Sequence, residues 1–555
     1  MFTIFLYERI HMTKKHITAI ILAAAVPFLA YFISEDIRCM QYLKEPDEVN
    51  HRQVRSLEMD GKDRMKDFEA LWKVVSEGIP AVRKYPDEFE YDIVSMEEKY
   101  RTAVEKVSSD VEFMCVMQSL LNDIPSVHTG FFFPDYDSIT DYNCMAAETV
   151  KTNPYLRDTV QLWNKEMKNY YRQSRAYEFD YTDGKYCFSL KNSEIKLPGI
   201  YYTVKSVNGK SPDEYITETL SSSSLGYDEE YRKLYRSTMI FNDSRGDMVT
   251  VELEDENGTV TEHEFYYNLC DEYMFVNQPY LHGVYEKPDN VYDIQYMDES
   301  PGGKTVYLRI DNLDNEKGSE IAGKIREYCS GDTESVILDL RRNGGGTLEY
   351  AAEYVYSPLF SESITVNEKE YILKSSGNRD FFRGIYCAMN KRIFGMRKIS
   401  QDEIKDVSEY LSGETVFDYG IETIFNGMNK NSPSVCVLVS DRTASSADYF
   451  VSAVSRLDNV VIIGENTGGE KTGGQFMAML PESRLVYYYN AAVCLNSDGS
   501  DNSLYGTEPD VRCRLSTEGF RKYNELVSEN KNPETLKNRL IWDDVLIKAV
   551  EMLQK

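Results

Sequence analysis

Between residues 303 and 515, four apolar runs, TVYLRI, SVILDL, SVCVLVS and NVVIIGE, alternate with stretches of helical spacing such as TLEYAAEYVY and SSADYFVSAVSRL. A strand that is apolar at nearly every position, rather than at every second one, has to be covered on both faces. Helices between such strands supply both the cover and the crossover connections, so this region is expected to form a largely parallel α/β sheet. In open sheets of that kind, ligands gather beyond the carboxyl ends of the strands. Three unusual loops follow these strands.

In SVILDLRRNGGGTLEY a strand ends at Arg341-Arg342-Asn343, and Gly344-Gly345-Gly346 precede a helix. Glycines there let the backbone turn sharply and present bare N–H groups, as an oxyanion or phosphate site requires, although a tight strand–helix turn uses the same residues. No Gly-Lys-Ser/Thr follows, so it is not a nucleotide-binding P-loop. In SVCVLVSDRTASSADYF a strand runs into Asp441-Arg442-Thr443, and Ala444-Ser445-Ser446-Ala447 opens a helix. A serine at such a turn exposes its hydroxyl to the positive end of the helix, and the next residue offers an amide; an ordinary N-cap has the same residue types. The third loop, NVVIIGENTGGEKTGG, is a strand followed by a glycine-rich turn.

The order strand–D-L-R-x-N-x-G-G–helix, strand–T-x-S-S-A-D–helix, strand–G-E-x-T-G-G resembles the C-terminal processing (tail-specific) serine peptidases and their relatives around the tricorn core protease. The resemblance spans residues 303–515 and extends more loosely to 61–130 and to 185–285, where IYYTVKSVNGKSPDEYI looks like the family's PDZ-like module. It implies a ClpP/crotonase-like α/β catalytic core, an N-terminal helical domain and a β-rich PDZ-like module. It further implies a serine endopeptidase without cofactor or metal, acting on a polypeptide that is recognised at its C-terminus.

By residue-for-residue carry-over, Ser445 is the nucleophile, and the amides of Ser446 and Gly345 form the oxyanion hole. The base is open between two branches of the family. The lysine of the G-E-x-T-x-G-K loop is replaced here by Glu470, with Lys471 one residue later. The histidine of a D-x-H-T motif is matched by His128 in Ser126-Val127-His128-Thr129, with Ser126 at the Asp position. Of six histidines, His11 and His16 flank an apolar run, His51 lies in a charged linker, His263 alternates within a strand and His282 sits in a loop. His128 is therefore the expected base, which places the chain nearer the histidine-using, tricorn-core-like branch. The acid expected before Tyr505-Gly506-Thr507-Glu508-Pro509-Asp510 falls near Ser503, with Asp501 and Glu465 as the neighbouring candidates. Because Ser126, Glu470 and Ser503 depart from the family's motifs, two alternatives stay open: a peptide-binding protein that has lost catalysis, and a Ser–Lys enzyme using Lys471.

With 555 residues, the chain is expected to hold several domains. Residues 1–34 read as a signal peptide or membrane anchor, 35–60 as a linker, 61–150 as the helical domain and 185–285 as the PDZ-like module. Residues 295–520 read as the catalytic domain with an insertion at 360–432, and 521–555 as a C-terminal amphipathic helix. Lys14 and Lys15 precede ITAIILAAAVPFLAYFI, a run of residues 17–33 without charge, and Glu35 and Asp36 follow it. That order places the remainder outside the cytoplasm, membrane-anchored or secreted. The net charge of −29 excludes a general nucleic-acid binder, which needs a basic face. Ten scattered cysteines form no C-x-x-C pair, and no His/Cys/Asp/Glu group has metal-ligand spacing.

Overall fold

The structure, a computed structural model, describes residues 59–131, 162–163, 178–188, 202–218, 225–240 (except 229 and 237), 248–266, 291–297, 304–378, 414–418, 421–471 and 476–554. The apolar run 17–33 and the linker up to residue 58 lie outside them. Among the described residues, no helix is long and apolar enough to cross a membrane.

The N-terminal region is helical, as its apolar spacing predicts. Helix α1 spans Gly61–Lys73, α2 Glu97–Lys106 and α3 Asp110–Asn122. Asp60 caps α1 by accepting the amides of Lys62 and Asp63, and Ser109 caps α3 by accepting that of Glu112. Each such cap contributes on the order of 1 kcal/mol. After α3 the chain turns at Pro125 and reaches His128.

Residues 178–266 form a six-stranded antiparallel sheet. Its order is Thr238–Ile240, Glu178–Thr182, Lys185–Phe188, Tyr202–Val207, Met248–Asp255, Val260–Tyr266. Helix α4, Pro212–Glu218, begins at Ser211, whose side chain and that of Glu214 exchange the reciprocal bonds of a capping box. Asn257-Gly258 closes a hairpin, as expected. Asn208-Gly209 instead turns the chain from a strand into α4. A separate hairpin pairs Leu225–Asp228 with Lys233–Arg236.

The region from residue 292 to 512 contains a six-stranded sheet whose spatial order follows the chain. Its strands are β1 Tyr292–Tyr296, β2 Lys304–Ile310, β3 Thr333–Asp339, β4 Ser434–Val439, β5 Val460–Gly464 and β6 Val511–Arg512. β1 runs antiparallel to β2, and all other pairs are parallel. The apolar runs are split by the period of two. Val336, Leu338, Val435 and Val437 face a core that includes α5 (Gly318–Tyr328) and α6 (Ser446–Val454), while Ile337, Cys436 and Leu438 face α8 (Asp544–Leu553). This two-sided burial is why the strands carry no polar face.

The tail differs from the single helix expected. Residues 521–555 hold the end of a helix spanning Thr517–Ser528, then α7, Leu536–Trp542, and α8, with Asp543 between the last two in a non-helical conformation. The Asp543 carboxylate caps α8 through the Leu546 amide and binds the buried guanidinium groups of Arg341 and Arg539. The insertion at 360–432 is stranded at both ends: Ile364–Glu368 pairs with Ile421–Phe425, and Glu370–Lys374 pairs with Glu414–Asp418 and with Ala492–Cys494. The described cysteines are all free thiols, four of them buried.

Candidate active site

Strand β4 ends at Val439, and the chain reaches α6 through a turn held from below. Thr443 is buried; its hydroxyl donates to the Leu340 carbonyl and its amide to the Ser440 carbonyl. The Ala444 amide donates to the Asn343 carbonyl and ties this turn to the glycine loop after β3. Ser445 then adopts φ 56° and ψ −129°. A positive φ is strained for a residue with a Cβ and persists only where the surroundings impose it. Although Ser445 stands at the N-cap position of α6, its hydroxyl makes no capping bond. The ordinary role of a serine there is thus not the one it performs. Ser446 opens the helix, where amides have no intrahelical acceptor.

Gly345 lies against Ser445. A Cβ placed on it would come within 2.8 Å of Ser445 Cβ and 3.3 Å of Oγ, and its φ of 112° also excludes side chains. Its amide donates to Asn343 Oδ1 at 3.0 Å, so an oxyanion at that amide has to displace Asn343. Asn343 is itself buried and donates to the Ile310 carbonyl.

The third loop passes beside both serine and histidine. Gly469 accepts the Ser445 amide at 2.9 Å. A Cβ on Gly468 would meet Val127 Cγ1 at 3.2 Å and Ala444 Cβ at 3.3 Å, so the chain neighbours of His128 and Ser445 flank this glycine. Glu470 follows with φ 55° and is buried. Its carboxylate accepts the Ser126 hydroxyl at 2.6 Å and lies 3.1 Å from His128 Nδ1, an ion-pair approach rather than an aligned hydrogen bond. Ser126 Oγ also accepts the His128 amide and the Thr129 hydroxyl, which fixes the histidine loop around the acid. Burial lowers the His128 pKa below its ordinary 6.5, with the Glu470 charge acting in the opposite direction.

The three acids or acid positions expected from the sequence are held elsewhere. Asp501 caps the short helix Asn502–Tyr505 through the Ser503 amide, and Ser503 Oγ accepts Asn490 Nδ2 at 3.4 Å. Glu465 pairs with Arg514 at 3.5 Å, and burial and the neighbouring Asp441 push its carboxyl up to about 7. Lys471 is buried with its ammonium beside Asn496 Oδ1 (3.2 Å), Ser452 Oγ (3.4 Å) and Glu368 Oε2 (3.5 Å). The sequence reasoning missed Glu470 as the partner of His128; the signal was present as an acid in the lysine position. It also gave no role to Asp448, the last letter of T-x-S-S-A-D. That buried carboxylate accepts Thr467 Oγ1 and Asn502 Nδ2 and so joins α6 to the two following loops; burial raises its pKa.

A serine on a strained strand-to-helix turn, in an α/β sheet and beside a histidine–carboxylate pair, belongs to a serine-type hydrolase. Residues 304–513 match the model of peptidase family S41, and the chain carries a serine peptidase domain of that family. No curated protein has significant sequence similarity to it. Mature CPAF complexed with lactacystin is 15% identical, with 87% of this chain and 99% of that one covered and a TM-score of 0.50; at such identity the likeness concerns the fold. The photosystem II D1 C-terminal processing protease is 14% identical, with 82% and 94% covered and a TM-score of 0.36.

Proposed function

We propose that the chain is an exported or membrane-tethered serine endopeptidase in which Ser445, His128 and Glu470 act as a triad. The observation that carries this reading is the Glu470 loop: its carboxylate lies 3.1 Å from His128 Nδ1, and the preceding residue accepts the Ser445 amide. With Nδ1 against the carboxylate, Nε2 is the nitrogen left to take the Ser445 proton and return it to the leaving amine. The Ser446 amide at the head of α6, with an amide of Gly344–Gly346, stabilises the developing oxyanion. The reading that catalysis has been lost rested on Ser126, Glu470 and Ser503; two of these now belong to one bonded set with His128.

The antiparallel sheet of residues 178–266, with α4 beside it, is the PDZ-like module in this proposal. It takes an extended polypeptide, at its C-terminus, by strand addition at a sheet edge. The export signal is the uncharged run 17–33 behind Lys14 and Lys15. The full chain is expected to cleave an unstructured polypeptide and to react with a fluorophosphonate probe, and Ser445→Ala to do neither. Undiminished cleavage by Ser445→Ala would overturn the nucleophile assignment.

A further inference from the structure

The hairpin formed by Leu225–Asp228 and Lys233–Arg236 contacts the segments leading to Ser445 and His128 directly and, through Arg514, the segment leading to Glu470. Successive residues of a strand point to opposite sides, and Tyr235 and Arg236 use both. The Tyr235 hydroxyl donates to Asp441 Oδ2, four residues before Ser445. Arg236 Nη2 donates to Asp123 Oδ1 at 2.5 Å, five residues before His128. From the opposite strand, Asp228 binds Arg514 Nη1 at 2.9 Å, and Arg514 Nε lies 3.5 Å from Glu465, five residues before Glu470.

These contacts are built rather than incidental. Tyr235 is almost fully buried, its ring is stacked on Tyr181, and it passes over Gly226, where a Cβ would approach the ring to 2.9 Å. Arg236 is 1% exposed and also donates to the Ile216 carbonyl, and its amide donates to the Tyr186 hydroxyl. Asp123 receives the Tyr100 hydroxyl as well, and its carbonyl accepts that of Tyr91 at 2.9 Å. Between Asp123 and His128, the Pro125 carbonyl accepts the Tyr85 hydroxyl at 3.0 Å. The histidine loop therefore has little freedom apart from the position of its anchor, Asp123.

We propose that this hairpin sets the register of the three catalytic loops, with Tyr235 and Arg236 as positioning residues for Ser445 and His128. The inference rests on the triad reading above. A displacement of the hairpin moves the nucleophile loop and the base loop together, because Tyr235 and Arg236 are consecutive residues of one strand.

The test uses the full chain and measures kcat and KM on an unstructured polypeptide, the rate of fluorophosphonate labelling and the unfolding temperature. Tyr235→Phe removes one hydroxyl and keeps the ring. It is expected to lower kcat and the labelling rate about 10- to 100-fold, the scale of a misplacement near 1 Å, with KM within about twofold. Arg236→Gln is expected to do the same, and Arg236→Lys, which keeps a charge for Asp123, to recover most of the loss. Should Arg236→Gln fail to fold, Tyr235→Phe and Arg236→Lys carry the test. Wild-type labelling rates in Tyr235→Phe, whatever its unfolding temperature, would overturn the positioning role. Failure of the wild type to label, or undiminished cleavage by Ser445→Ala, would instead defeat the triad reading itself.

Discussion

Glu470→Gln separates the charge of the proposed acid from its shape. Glutamine fills the same volume, and its carbonyl oxygen can still accept the Ser126 hydroxyl that Glu470 now accepts at 2.6 Å. What is lost is the negative charge 3.1 Å from His128 Nδ1. That charge matters most when His128 has taken the Ser445 proton and become an imidazolium. At an effective permittivity of about 20, a unit pair at this separation interacts by about 5 kcal/mol. Since about 1.4 kcal/mol is a factor of ten in rate, the interaction corresponds to somewhat less than four decades. Loss of the triad carboxylate in other serine peptidases falls in the same range, about 10,000-fold.

The expectation is a fall in kcat of about 1,000- to 10,000-fold, with KM little changed and a native unfolding transition. Steady-state cleavage, calorimetry and the fluorophosphonate labelling rate together make the check. Labelling should slow in parallel with cleavage, because both need the serine deprotonated. A Glu470→Gln enzyme within tenfold of wild type, beside an inactive Ser445→Ala control, would refute the assignment of Glu470 as the third member.

The pH profile follows from the same pair. Burial holds the His128 pKa below 6.5, so the acid limb of kcat/KM should lie below pH 6.5; Glu470 raises that pKa, so Glu470→Gln should move the limb lower still, and a limb above pH 7 in the wild type would contradict the burial. The linked stability has a definite sign: the unfolded chain binds the His128 proton more readily, so the contribution is present above pH 6.5 and is lost as the pH falls from there through the folded-state value, which urea titrations at several pH values would read. Gly345→Ala should reduce the labelling rate at least about 100-fold, because its methyl would press on Ser445 Cβ from 2.8 Å; unchanged labelling would mean that the two loops separate freely. Lys471→Met removes the alternative base, and kcat should stay within about threefold while the unfolding temperature falls with the loss of the Glu368 contact; a catalytic collapse in a stable variant would favour the Ser–Lys mechanism.

The fold was legible where one local rule decides the outcome. The runs in β3 and β4 are apolar at nearly every position because alternate residues meet different covering layers, and that alone identifies a sheet buried on both faces. Motif order pointed to Ser445 and His128, and the structure sets their loops against the turn of Gly468 and Gly469. The break at Asp543 was not: it depends on Arg341 and Arg539, and the Arg341 contact spans 202 residues of sequence. The partner of Gly345 was hidden for a related reason, since a glycine loop read as a row of free amides gives no sign that a side chain two positions earlier folds back onto one of them. Glu470 was visible, but its approach to His128 was not. In a loop expected to supply a lysine, a glutamate reads as a lost function, and its value appears only once the turn of Gly468 and Gly469 brings it to the histidine.

The position of that acid has a structural explanation. The expected source was the segment around 501–505 or Glu465, and the proposed source is the loop ending at Glu470, yet the 501–505 segment and that loop are packed back to back. A Cβ on Gly469 would come within 2.1 Å of the Asn502 carbonyl, and one on Gly506 within 2.0 Å of the Thr467 carbonyl. Thr467 Oγ1 accepts the Thr507 amide, the Lys471 amide donates to Asn502 Oδ1, and Asp448 holds Thr467 and Asn502 from beneath. With two loops knit this closely, we propose that a carboxylate can serve from either provided the other leaves room. Here the second loop leaves it: Ser503 carries a short hydroxyl, and Asp501 turns its carboxylate onto the Ser503 amide instead. The departures at 470 and 503, which separately look like losses, are on this view one compensated exchange. The double change Glu470→Gln with Ser503→Glu should then recover part of the activity that Glu470→Gln loses, read as kcat, and no recovery in a folded double variant would show that the second loop cannot reach the histidine.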